Sequence, residues 1–96
     1  MTTTYPTDLP LPPPPDRWNG TLLDMVADVT DPVTSWRDVT MRCEVEAPDA
    51  ETAERRALAI HVYDYDDNVK PGETADASPI GGDRWSVLLH WGFYDT

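Results

Sequence analysis

Basic residues are scarce in this chain. Seven Lys and Arg stand against eighteen Asp and Glu, a formal net charge of −11. Neutralising phosphates, or settling on an anionic bilayer, requires a basic face, so direct binding to nucleic acid or to a membrane is not expected. A basic protein partner, a divalent cation or plain solubility remain compatible with such a charge. Cysteine is nearly absent: Cys43 stands alone, which excludes an internal disulfide framework and any multi-cysteine metal site. No apolar run approaches the roughly 18–20 residues that span a bilayer. The opening Met1-Thr2-Thr3-Thr4-Tyr5-Pro6 has neither the basic start nor the apolar stretch of a signal peptide. A soluble protein of a reducing cytoplasm is the expectation.

Catalytic patterns are lacking too. There is no glycine-rich phosphate loop, no zinc-spaced histidine set and no G-x-S-x-G elbow. The two histidines do not fill the gap. His61 falls in the last turn of an expected helix, where a cation complements the dipole. His90 shares a strand face with Ser86, but four strand residues separate the two by about 13 Å, beyond hydrogen-bond reach. Cys43, between Met41 and Val45, reads as a small core residue rather than a nucleophile. No enzyme activity, cofactor or metal is expected.

What the chain does have is proline, acid and tryptophan. Leu9 to Pro15 holds five prolines in seven positions and predicts polyproline II, so residues 1–17 read as an extended proline-rich tail and 18–96 as a single domain. Pro12, Pro15 and Arg17 fit the P-x-x-P-x-R outline of polyproline ligands. Thr21 to Val29 fits a strand, with Leu23, Met25, Ala27 and Val29 on one face, and also a helix capped by Thr21. The turn signal Thr30-Asp31-Pro32 favours the strand.

From Trp36 to Ala47 the alternation is strict: Val39, Met41, Cys43, Val45 and Ala47 face a core, and Thr40, Arg42, Glu44 and Glu46 face water. Asp49 is a helix N-cap with Glu51 in the first turn. Ala50, Ala53, Ala57 and Ile60, with Leu58 beside them, form the apolar stripe, leaving Glu54, Arg55 and Arg56 to solvent. Residues 64–83 read as a long acidic loop, a rarity in compact domains and usually functional or disordered. Arg84 to Tyr94 is a final strand with Trp85, Val87, Leu89, Trp91 and Phe93 on one face. The expected fold is α+β: about three antiparallel strands, in the order strand–strand–helix–strand, covered on one face by a single helix. A ferredoxin-like arrangement is the alternative if Ile60 to Tyr65 is extended.

Six of the seven basic residues are Arg, and Ala, Asp, Thr, Val and Pro are abundant. With the stretch from Val39 to Ala59, this usage resembles the small acidic orphan proteins of actinobacteria and their phages. The resemblance assigns no functional residue.

Three interaction chemistries follow. Asp64, Asp66 and Asn68 match positions 1, 3 and 5 of a calcium loop, but Val69 and Ala75 stand where glycine and the bidentate glutamate are required, so an EF-hand is refuted. Glu44 and Glu46, roughly 7 Å apart on one strand face, read as a charged sheet surface rather than a glycosidase pair. Together with Asp49, Glu51, Glu54, Asp64, Asp66, Asp67, Glu73, Asp76 and Asp83 they could instead imitate a phosphate backbone and occupy a basic nucleic-acid-binding protein. The third chemistry is apolar: a sheet covered on one face only exposes Leu88 and Tyr94 to a partner or a second copy, a homodimer through the C-terminal strand being the simplest case. The reading that covers these is a non-enzymatic protein-interaction module, an accessory protein that binds and modulates a host macromolecule.

Overall fold

The β-rich architecture follows from period-two alternation in three long segments. The computed structural model describes residues 2–11, 20–64 and 68–94. Six elements run in the order β1 (Thr3–Thr4), β2 (Thr21–Asp31), β3 (Trp36–Glu46), α1 (Ala50–Asp64), β4 (Thr74–Gly81) and β5 (Arg84–Tyr94). They form one antiparallel sheet in the order β1-β4-β5-β3-β2, with α1 on one face.

This corrects the expected three-stranded arrangement to five strands. The expected loop at 64–83 is in part regular structure: α1 runs on to Asp64 and β4 occupies Thr74–Gly81. With Ile60 to Asp64 helical, the ferredoxin-like alternative falls. The β4 sequence, Thr-Ala-Asp-Ala-Ser-Pro-Ile-Gly, has little β propensity of its own, and β5 supplies its hydrogen-bonding template. Pro79 is accommodated because it lies beyond the short reach of β1, next to a bulge between Pro79 and Gly81. Gly82, at φ 55°, opens the tight turn into β5. At the chain's start, Thr3 and Thr4 pair with Ala75 and Thr74, so the expected tail contributes a strand. Residues 12–19 lie outside those described.

β2 is a strand, but a bulge between Leu22 and Asp24 resets its faces. Leu22, opposite Cys43, joins the helix side together with Met25 and Ala27, which lie opposite Met41 and Val39. The β2–β3 turn is built around Asp31. Its carboxylate accepts hydrogen bonds from the Val33 and Thr34 amides and from the Thr34 hydroxyl, which hold it below the usual aspartate range. Asp49 caps α1 as expected, accepting from the Thr52 amide at 2.8 Å.

Between α1 and the sheet, Met41, Cys43, Val45, Ala53, Ala57, Leu58, Val87 and Leu89 are fully excluded from water. The alanines let the helix lie close, and Ile60 presses on Gly20, where a Cβ would come within 2.6 Å of its Cδ1. Among the described residues no helix is long and apolar enough to cross a membrane. Leu58 is the largest side chain that α1 buries by packing alone. Leu58→Ala is expected to lower unfolding free energy by about 2–5 kcal/mol in urea titration, while Leu88→Ala, on the exposed face, changes it by less than about 0.5 kcal/mol.

Candidate functional site

α1 packs over β4, β5 and β3, and no described side chain of β2 is buried. Among the described residues the helix-side face of the sheet is therefore covered at one end and open at the other. In the open part Met25 and Ala27 from β2, Val39 from β3, and Trp91 and Phe93 from β5 line a groove of about 530 Å³, walled by Pro71. Met25 is 49% exposed and Phe93 41%.

The groove's wall and floor share one anchor. Lys70-Pro71-Gly72-Glu73 is a turn closed by a Glu73 N–H to Lys70 carbonyl bond of 3.0 Å, with Gly72 at φ 74°, the type II pattern in which proline precedes glycine. Glu73 then points inward and is fully buried. One carboxylate oxygen accepts from the Lys70 amide at 2.9 Å. The other lies 2.8 Å from Nδ1 of His61, which is equally buried. The His61 ring stacks on Trp91, centroids 4.3 Å apart and planes at 18°. Trp91 in the floor and Pro71 in the wall are thus positioned through a single carboxylate.

A second buried carboxylate ties the N-terminal segment to the helix and β4. Glu54 accepts from the Tyr5 hydroxyl at 2.9 Å and from the Ala77 amide at 3.3 Å. The Tyr5 amide donates to the Glu73 carbonyl at 3.0 Å. Beyond it the segment follows the helix, where the Pro10 and Leu11 carbonyls accept from Arg55 and Tyr63. Burial, reinforced by the Glu54 carboxylate, raises the Tyr5 phenol well above its ordinary range.

The outer face of the sheet is acidic. Register places Asp24 and Asp28 of β2, Asp38, Glu44 and Glu46 of β3, and Asp76 of β4 on it, with Arg42 and Arg84. Arg84 reaches Glu44 at 3.2 Å and Glu46 at 4.0 Å. Asp38 accepts from the Trp36 indole and lies 3.2 Å from His90 Nε2. Trp36 lies flat over Gly92, leaving no room for a side chain there, and meets Tyr94 edge-on at 4.9 Å.

The residues singled out from sequence divide accordingly. Glu44 and Glu46 are on the outer sheet face. Glu51 is exposed on α1, across the sheet from them. Glu54 and Glu73, expected at the surface, are interior: each has backbone and side-chain partners that a charge pattern cannot reveal. Asp64 ends α1. Asp66, Asp67, Pro12, Pro15 and Arg17 lie outside the described residues. The structure does not gather the expected acidic set onto one surface. Sequence reasoning missed Asp24 and Asp28, although their four-residue spacing on a strand puts both on one face. It also missed the groove, which depends on where the helix stops. Among the described residues no cluster of three or more His, Cys, Asp or Glu could hold a metal, and Cys43 is buried. No protein-family model, curated protein or solved structure matches the chain.

Removing the Glu73 carboxylate breaks a fully buried pair. Glu73→Ala is expected to cost about 3–5 kcal/mol in denaturant unfolding. Tyr5→Phe leaves a buried carboxylate short of a donor and should cost about 1–3 kcal/mol. Because the folded phenol titrates above the unfolded one, its contribution is complete below about pH 10 and fades as pH rises through the folded value. A stability–pH curve should show this alkaline loss in the wild type and not in Tyr5→Phe.

Proposed function

We propose that this protein is a non-enzymatic protein-interaction module that binds a macromolecular partner with the open end of its sheet. The observation that carries the reading is the groove beside β2. Apolar side chains from three strands meet there with no helix above them among the described residues, and exposed apolar surface gathered in a concavity is the usual mark of an interaction site. Its floor is pre-organised by the Trp91–His61–Glu73 stack, so little ordering cost falls on binding. An accessory role, binding and modulating a host macromolecule, fits a small acidic domain with such a surface.

Pure nucleic-acid mimicry is the lesser reading. It draws support from the carboxylates of the outer face, but Trp36, Leu88, Val26 and Tyr94 interrupt them, and Glu54 and Glu73 are withdrawn into the interior. The two readings part in a capture experiment with tagged protein, washed at low and high salt. The module reading expects a partner that the wild type holds, that Met25→Ser with Phe93→Ser loses, and that a high-salt wash only partly removes. A partner indifferent to the groove substitutions and fully removed by salt would replace this reading with mimicry.

A further inference from the structure

We infer that β2 is a docking edge for an added β-strand of a basic partner, carrying cationic side chains at positions i and i+4 and apolar ones at i+1 and i+3. This rests on the module reading above and specifies its partner. β2 is the last strand of the sheet, and among the described residues nothing pairs with its outer edge. Its backbone groups there present a template for another strand.

The side chains of β2 dictate what such a strand must carry. A residue of an added strand shares a face with the β2 residue opposite it, with Cβ atoms about 4.5–5.5 Å apart. On the helix side those β2 residues are Met25 and Ala27, which continue into the groove floor at Val39 and Trp91. Apolar side chains belong there, and the one charged group lining that groove is the cationic Lys70. On the outer side the β2 residues are Asp24, Val26 and Asp28, with Asp38 directly across from Asp28 and Arg42 directly across from Asp24, so the demand for a cation is stronger at Asp28. Cationic side chains therefore belong opposite Asp24 and Asp28, four residues apart, and an uncharged one opposite Val26.

A second copy of the chain is the wrong occupant. Two β2 edges in full antiparallel overlap place Val26 opposite Val26, which sets Asp24 against Asp28 twice. Like charges directly opposed across strands are destabilising, and each body carries a net −11 besides.

The test uses the full chain and three synthetic peptides, followed by amide chemical shifts. The first contains Lys-Val-Thr-Val-Lys between threonine flanks. The second has the same composition in blocks, Lys-Lys-Thr-Val-Val, and the third replaces each lysine of the first by glutamate. Saturable shifts centred on β2, with the first peptide bound about three- to tenfold more tightly than either other, are expected. Asp24→Asn with Asp28→Asn should weaken the first peptide by about the same factor without altering the unfolding curve. Equal binding of the block peptide, shifts centred away from β2, no binding, or sedimentation as a dimer that Met25→Ser dissociates would each overturn strand addition. If any of these occurs while the captured partner still depends on Met25 and Phe93, the module reading stands without it. If that dependence is also absent, both fall.

Discussion

The Glu73 carboxylate joins a turn, the helix and, through one imidazole, the central strand. It closes the Lys70–Glu73 turn, meets His61 from the helix, and through the imidazole fixes the plane of Trp91 on β5. Its own backbone carbonyl receives the Tyr5 amide and so fastens the N-terminal strand. A carboxylate taken out of water is costly unless its lone pairs are met and a cation or donor stands close. That penalty makes the arrangement specific: turn, helix, central strand and N-terminal segment must all be in place for Glu73 to be tolerated where it is. Glu54 repeats the device about two turns earlier on the helix than His61, with Tyr5 and the Ala77 amide as its donors.

The open groove follows from economy of core. With small side chains at Ala53 and Ala57, α1 lies close to the sheet but is only fifteen residues long. A single helix, about 10–12 Å across with its side chains, covers three strands spaced about 4.8 Å apart and, among the described residues, leaves β2 uncovered beyond Leu22. The tryptophan that closes the covered part also forms the floor of the uncovered part, so the interior pair and the exposed groove meet in one residue. Stability and the proposed binding surface are in this sense coupled through Trp91.

Legibility from sequence varied with how self-sufficient each element is. β3 and β5 could be read because their own alternation specifies the buried face, and α1 because Asp49 caps it. β4 could not: its small residues, Pro79 and Gly81 carry no strand signal, and it is extended because β5 offers a template. β1 is two residues long and likewise exists only through its neighbour. The bulge at Leu22–Asp24 moved Leu22 inward, a shift that alternation alone does not foresee. Glu54 and Glu73 were read as surface acid because acidic composition says nothing about partners far along the chain. For Glu54 the decisive donor is Tyr5, 49 residues away. The candidate site was the least legible part, since an uncovered face is defined by where another element ends.

The acidic outer face bears on why an exposed edge strand is tolerable at all. Unpaired edges invite indiscriminate pairing, and charge on the edge is one of the ways proteins blunt it. Asp24 and Asp28 do this for β2, while the bulges at either end of the strand disturb its regularity. The protection is selective rather than absolute. In the proposed strand addition an uncharged strand would leave two carboxylates facing apolar side chains, and like-charge repulsion disfavours another copy or an acidic strand. It becomes attraction for a strand with cations at those two positions. A surface that, on this proposal, is closed to its own kind and open to one charge pattern would gain specificity where the apolar contact, taken alone, would discriminate little.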